Sequence, residues 1–465
     1  MADGVLRELI PEIEGLAETK VAEYRIPGLA LGIIRDQELA WFEGFGCADL
    51  DSDRKPDAHT IARVASVTKT FTTTAIMQLR DGGKLGLDDP LVQHIPEFEK
   101  VRARCGTVDG VTIRRLLTHR SGLVTESPTH GWGALRFPSR EEVLEKLPET
   151  EVVIPQDSAW KYSNLGFGLL GEVVYRLSGQ PYTEYVHEHI IEPLNLTSSV
   201  FDLTDELRPH FFVGYNPTPY QDRPERAPYA HLDGISAAGQ LHSTVSDLAK
   251  WVSFQFRTDG GDRGGAQVLS GSTLAEIQRP QYVEPDWSAG QCLGWRTTRI
   301  GDRVYHNHGG GIHGFGTQVW FNAPGRTGVV LLINMWPPHG GLELAQEVLE
   351  MILEEDEAAA PQSEQPKLDP TPEALVRFLG HYRAEPGIDV DIEYRDGRLR
   401  LAGHGKSAYS LHAPAELEPT EREDEWVVRG GRASGERAVF TVGEDGRVLS
   451  YELGAFVFKK YVIAK

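Results

Sequence analysis

Apolar residues recur at helical spacing from the start of the chain. Leu6, Leu9, Ile10, Ile13, Leu16, Val21 and Ala22 predict an amphipathic helix over 5–25, which Pro27-Gly28 stops. Two strand-like runs follow, 29–34 and 38–45, and Arg35-Asp36-Gln37 between them signals a hairpin. Val67, Phe71, Ala75 and Leu79 stand four apart and predict a buried helix over 65–79. Residues 81–240 read as helices and loops, with a firm helix over 165–177 that stops at Ser178-Gly179. Thr244-Val-Ser-Asp247 opens another helix through Trp251. Strands are predicted at 303–306, 317–322 and 328–334, and a last amphipathic helix at 342–353.

The pattern breaks at Glu354-Glu-Asp-Glu-Ala-Ala-Ala-Pro, which is acidic and has no apolar period. Residues 354–369 therefore read as a solvated linker. Beyond it, alternating runs at 389–394, 398–401, 426–429, 438–442, 448–453 and 456–462 predict short strands. Asp396-Gly397 and Asp445-Gly446 supply turns, so 370–465 is expected to be a small antiparallel barrel or sandwich.

Composition narrows the function. With 47 Lys+Arg against 68 Asp+Glu the net charge is -21, which repels phosphate backbones and argues against nucleic-acid binding. The 3 cysteines, Cys47, Cys105 and Cys292, are too scattered for a disulfide framework or a zinc ribbon. No apolar run is long enough to span a membrane and no signal core precedes the first helix, so a cytoplasmic protein is expected.

Three short segments carry the chemistry. In Ser66-Val67-Thr68-Lys69, a serine and a lysine share one helix face at a helix start. There the macrodipole favours an alkoxide, and a desolvated amine can take its proton. Tyr162-Ser163-Asn164 stands at a loop–helix junction, where a phenol and an amide can enter a cleft together. His308-Gly309-Gly310-Gly311 ends a strand; its glycines let the backbone approach a ligand and offer N–H groups to an oxyanion. Singly, each has an ordinary reading as a helix cap, a packed tyrosine or a tight turn. A lipase oxyanion loop is disfavoured because no serine sits in G-x-S-x-G. A metal site on His306, His308 and His313 is disfavoured because no acidic residue lies in the run and HExxH is absent.

In this order and spacing the segments resemble the serine β-lactamase and penicillin-binding-protein superfamily, closest to its class C-like branch of class C β-lactamases, family VIII carboxylesterases and D-aminopeptidases. Leu116-Leu-Thr-His-Arg-Ser-Gly-Leu123, Trp160-Lys-Tyr-Ser-Asn-Leu-Gly-Phe-Gly168 and Ala237-Ala-Gly-Gln-Leu-His-Ser-Thr244 extend the likeness over most of 15–350. Phe378-Leu-Gly-His-Tyr382 opens a segment similar to the lipocalin-like barrel appended to some of these hydrolases.

The resemblance implies an α+β, β-lactamase-like domain over 1–353, an antiparallel sheet flanked by helices with a helical subdomain at roughly 81–240. A linker at 354–369 and a lipocalin-like β-barrel at 370–465 follow. It also implies Ser66 as nucleophile, Lys69 as the group that helps deprotonate it, and Tyr162 as general base and then acid. Asn164, His308 and Gly310 would bind substrate, and the amides of Ser66 and Gly311 would form the oxyanion hole. No metal or organic cofactor is implied. A lysine stands in β-lactamases where this chain has His308, and a histidine supplies less positive charge for a drug carboxylate. The expected activity is ester hydrolysis by a carboxylesterase, ahead of an aminopeptidase or D-peptide amidase. A β-lactamase or a non-catalytic binding protein ranks lower. The expected partner is a small ester or short peptide, not a nucleic acid or a membrane, and homo-oligomer formation is left open.

Overall fold

The computed structural model describes residues 2–52, 54–129, 131–218, 223–258, 267–359, 370–385, 387–403 and 415–461. It divides into two units, Met1–Ala359 and Ala360–Lys465. The predicted linker residues 360–369 lie outside the described residues.

In the first unit the longer helices are α1 (Ala2–Glu23), α2 (Thr68–Asp81), α3 (Asn164–Ser178), α4 (Val245–Gln255) and α5 (Leu344–Ala359). One antiparallel sheet holds β1 (Gly28–Arg35), β2 (Glu38–Gly46), β3 (Tyr282–Val283), β4 (Ala289–Gln291), β5 (Arg296–Ile300), β6 (Arg303–Ile312), β7 (Phe315–Asn322) and β8 (Thr327–Ile333). Its order is β2-β1-β8-β7-β6-β5-β4-β3. The two ends of the unit therefore meet at the sheet's middle, Leu29 opposite Ile333 and Arg35 opposite Thr327. β8 is apolar at successive positions because both of its faces are covered. Val329, Leu331 and Ile333 pack with Ile13 of α1 and Val348 and Leu349 of α5. Val330 and Leu332 alternate to the other face and join Leu248 and Trp251 of α4. Between α2 and α4 the chain runs through short helices and loops with α3 among them. Among the described residues no helix is long and apolar enough to cross a membrane.

Three expectations about elements are corrected. The helix expected from 65 opens with a 3-10 turn, Ala65–Val67, and the α-helix begins at Thr68. The acidic run from 354 is not linker at its start, because α5 continues to Ala359. Glu and Ala are good helix formers, and the last turns are tied to the sheet: Arg35 Nη2 reaches Asp356 Oδ1 at 2.9 Å, and Arg303 pairs with Glu357. Strands β3 to β5 escaped the sequence reading. They are short, and the longest, β5, reads Arg-Thr-Thr-Arg-Ile, without a clear apolar alternation.

The second unit is a closed antiparallel barrel of eight strands: β9 (Gly380–Ala384), β10 (Ile388–Arg395), β11 (Arg398–Gly403), β12 (Ala415–Pro419), β13 (Glu425–Arg429), β14 (Arg437–Val442), β15 (Val448–Leu453) and β16 (Phe456–Tyr461). The first strand closes on the last, Tyr382 opposite Lys460. Tyr382, Val390, Leu401, Phe440, Tyr451 and Phe458 alternate into a filled core. The predicted strands are present, residue 462 of the last lying outside the described residues, and two are added, β9 and β12, whose sequences Gly-His-Tyr-Arg-Ala and Ala-Glu-Leu-Glu-Pro lack the β-branched residues of the predicted runs.

Candidate active site

Ser66 sits in the 3-10 turn that feeds α2, and the turn is pinned from below. The buried Thr68 hydroxyl donates to the Ala65 carbonyl at 2.6 Å and accepts the Leu241 amide at 3.1 Å. Ala65 is held with φ 46°, a left-handed conformation that costs a non-glycine residue energy. That kink lifts Ser66 out of the helix line with its amide still in the donor-rich first turn. One turn on, Lys69 is 0% exposed, and its Nζ donates to Ser66 Oγ at 3.1 Å, Asn164 Oδ1 at 2.9 Å and the Ala238 carbonyl at 2.7 Å. Burial pulls the Lys69 amine down to about 7, against an opposing pull from the Glu126 charge.

Tyr162 and Asn164 enter from the loop before α3. Ser163 caps the helix, accepting the Gly166 amide at 2.9 Å and donating to the Val124 carbonyl at 2.7 Å. The residues on either side are thereby turned toward Ser66. Tyr162 OH donates to Ser66 Oγ at 2.7 Å. Burial pushes this phenol above its ordinary range, while the hydrogen bond to Ser66 works the other way. Asn164 gives its Oδ1 to Lys69 and its Nδ2 to Glu126 Oε1, the latter at 2.6 Å. His119, for which the sequence reading had no role, lies beneath: its ring centroid is 4.3 Å from that of Tyr162, and Nδ1 accepts the Ser163 amide at 3.2 Å. Burial and then the Lys69 charge keep His119 neutral.

The glycine run lies at the end of β6. Two two-residue hairpins fix its hydrogen-bond phase, Ile300↔Arg303 before β6 and Ile312↔Phe315 after it. Even-numbered residues of β6 bond to β7 and odd-numbered ones to β5. Pairing with β5 ends at Asn307, so the Gly309 and Gly311 peptide groups face an open edge. A Cβ on Gly310 would run into the Val64 carbonyl oxygen and lie 3.2 Å from the Ala65 Cβ, and one on Gly311 would overlap the Trp336 ring. Gly310 is therefore glycine because this strand presses against the turn that carries Ser66, and Gly311 because it lies against Trp336. His308 is buried; its Nδ1 donates to the Gly309 carbonyl at 2.7 Å. Burial, then the Lys69 charge, holds it down at about 3, so the imidazole is neutral at physiological pH.

Ser66, Tyr162, His308, Gly310 and Gly311 line one cleft of about 480 Å³, walled further by Trp160, Gln291, Arg296, Trp320, Trp336 and Leu342. Lys69 and Asn164 stand directly behind Ser66 and Tyr162. The lining contains no acidic residue, although the chain is strongly acidic. Its exposed cation is Arg296, whose guanidinium sits 5.3 Å from the Trp160 ring. Arg296 and Glu126 belong to no short motif and were missed for that reason. The three histidines near the run separate: His306 Nε2 bonds the Gln278 carbonyl at 2.9 Å, whereas His313 lies at the hairpin tip beside Trp132. Among the described residues no group of three His, Cys, Asp or Glu is placed to hold a metal.

An antiparallel sheet flanked by helices, with a serine–lysine–tyrosine cluster at a helix start beside a glycine-edged strand, defines the class of β-lactamase-fold serine hydrolases. Residues 13–350 match the family model described as Beta-lactamase, and the chain belongs to that family. Protein flp of Staphylococcus aureus (strain MW2) is 26% identical over 330 residues, which are 70% of this chain and 63% of that protein. The chain thus matches somewhat less than two thirds of that relative's length. Among solved structures, the octameric penicillin-binding protein homologue from Pyrococcus abyssi is 22% identical with a TM-score of 0.63, and the match covers 97% of this chain and 100% of that one. A D-stereospecific amidohydrolase from Streptomyces sp. is 22% identical with a TM-score of 0.59, over 75% of this chain and 98% of that one. At this identity the structural likeness speaks for the fold alone.

Proposed function

We propose that the protein hydrolyses carboxylic esters through an acyl-enzyme on Ser66. The observation that carries this reading is the convergence of Lys69 Nζ and Tyr162 OH on Ser66 Oγ, at 3.1 and 2.7 Å. With its pKa near 7, a substantial share of Lys69 is neutral at pH 7 and can accept the Ser66 proton, directly or through the phenol. Ser66 Oγ bonds to the substrate carbonyl carbon, and the oxyanion that forms takes the Ser66 and Gly311 amides. On collapse the C–O bond to the alcohol breaks, and the proton on Lys69 returns through Tyr162 to the leaving oxygen. Water then repeats the sequence to release the acid and restore Ser66. Tyr162 acts as a phenol throughout, a shift of emphasis from the base expected of it, because its burial disfavours the phenolate.

An ester asks less of this site than an amide, since an alkoxide leaves more readily than an unprotonated amine. A β-lactam is less favoured because His308, where β-lactamases place a lysine, is neutral, and only Arg296 in the cleft lining offers a carboxylate a charge. The second reading, an aminopeptidase or D-peptide amidase, is favoured by one observation, the Glu126 carboxylate beside Asn164. Hydrolysis of p-nitrophenyl esters against amino-acid p-nitroanilides tests the choice. Ester kcat/KM at least a hundredfold higher is expected; the reverse order makes the protein a peptidase, and no burst with either makes it a binding protein.

Gly310→Ala tests the oxyanion assignment. The added methyl pushes β6 off Val64 and carries the Gly311 amide away from the oxyanion. Loss of one such donor lowers kcat by about 10²–10³. Ester kinetics at near-normal kcat in the folded variant would remove Gly311 from that role.

A further inference from the structure

A second pocket lies behind the backbone that supports Lys69. Two short helices, Arg140–Glu145 and Tyr182–Val186, meet α3 and the kinked 3-10 segment Asp233–Ala238 around a space of about 320 Å³. None of its lining residues lines the Ser66 cleft. Its walls are largely apolar, with Leu144, Leu169, Tyr175, Tyr182 and Ala237 among them. The volume is at the lower end of ligand pockets, which run from about 300 to 1,000 Å³, and suits one or two rings.

The polar groups set the charge of the occupant. Glu141, Glu172 and Asp233 stand against one cation, Arg140. Arg140 is already committed: Nη2 donates to Glu172 Oε1 at 2.9 Å, Nη1 to Glu141 Oε1 at 3.1 Å, and the guanidinium lies 4.2 Å from the Tyr175 ring. An anion is therefore repelled. The Ser236 and Thr183 hydroxyls on the lining make no hydrogen bond among the described residues, which leaves them open to a ligand hydroxyl.

The Ala237 wall connects this pocket with the catalytic lysine. The Ala237 carbonyl accepts the Thr72 hydroxyl at 2.7 Å, and that hydroxyl also lies 2.7 Å from Tyr182 OH. The next carbonyl, of Ala238, accepts Lys69 Nζ at 2.7 Å. The segment is packed tightly against α3, where a Cβ on Gly171 would lie 2.7 Å from the Ala237 Cβ. Beside that contact is the pocket, and atoms that border a void lack packing partners on that side. Ile235 interrupts the segment with non-helical φ -113° and ψ 21°, so its own helical bonds do not hold it as one piece.

We propose that this pocket binds a neutral phenol or alcohol of one or two rings, and that occupancy steadies the Ala237–Ala238 backbone and speeds attack by Ser66. The second half rests on the acyl-enzyme reading of Ser66; the first does not.

Calorimetry of the full chain at pH 7 compares 2-naphthol with 2-naphthoate, an anion of similar shape. The expected dissociation constant of 2-naphthol is below about 1 mM, with 2-naphthoate at least tenfold weaker. Leu144→Trp and Thr183→Phe each put a ring into the pocket from a half-buried position and should weaken 2-naphthol at least tenfold. Protein whose Ser66 carries a fluorophosphonate has its cleft occupied and should bind 2-naphthol as before. Equal affinity for the two probes, loss of binding in the labelled protein, or full binding in both folded pocket variants overturns the site. Saturating 2-naphthol should raise the rate of Ser66 labelling at least twofold in the wild type and not in Leu144→Trp. An unchanged or lowered rate overturns the coupling. No labelling under any condition overturns the acyl-enzyme reading instead, and calorimetry of the two pocket variants still decides the site.

Discussion

Ser66→Ala loses turnover by about 10⁴–10⁶-fold and loses all labelling by a fluorophosphonate, while its melting temperature stays within a few degrees of wild type. The size follows from the geometry. Lys69 and Tyr162 each spend a hydrogen bond on Ser66 Oγ, and with that oxygen gone no other nucleophile stands between them. The turn is fixed by Thr68 and by the Val64–Gly310 contact rather than by the serine side chain, so the fold does not depend on it. Intact-mass and peptide mass spectrometry of the labelled wild-type protein read the result. An adduct on any serine other than Ser66 rejects the assignment.

The second large effect is the coupling of Lys69 with Tyr162. Lys69→Met and Tyr162→Phe should each cost about 10³-fold or more, and the double variant little beyond the worse single one, because groups that move one proton act as a unit. Multiplicative losses would show that they work independently. The pH profile carries the same logic. If neutral Lys69 is the acceptor, as proposed, kcat/KM should rise with pH through about 7 and then level off, and Lys69→Met should lack that limb. Stability follows the same neutral state of the lysine. The unfolded chain holds the lysine proton up to its ordinary pKa of 10.5, whereas the folded protein releases it near 7. Between these values the unfolded state binds more protons, and folding gains stability as pH rises. Lys69→Met should therefore be more stable than wild type at or below pH 7, with the gain closing toward pH 10. A gain independent of pH would show that Lys69 is charged in the fold.

Much of this was legible because local order and spacing encode it. Ser66 and Lys69 are one helical turn apart, Tyr162 and Asn164 flank a capping serine, and the glycine run announces a close backbone approach. Glu126 and Arg296 were not legible. Each is a single charged residue in a stretch without period, and its meaning arises only when distant segments are folded together. His119 stood inside a recognised stretch, yet its contact with Tyr162 depends on a left-handed backbone at φ 55° that no propensity foretells. In the fold, the central strands announced themselves by continuous burial. The edge strands β3 to β5 and the barrel strands β9 and β12 are held by their neighbours' hydrogen bonds more than by their own pattern. The end of α5 was misread because acidic side chains that look solvated in sequence are paired with Arg35 and Arg303.

The contact between Gly310 and the Val64 carbonyl has a consequence for inheritance. Every base change that alters a glycine codon without ending translation adds at least one carbon, and here that carbon meets backbone that cannot turn aside. Variation at this position is therefore closed in single steps. Arg296, exposed at the rim of the same cleft, meets no such backbone wall, and its codon can change the charge there in a single step. On the proposed reading, a lineage built on this scaffold can change the charge its cleft presents while the backbone against the Ser66 turn stays fixed.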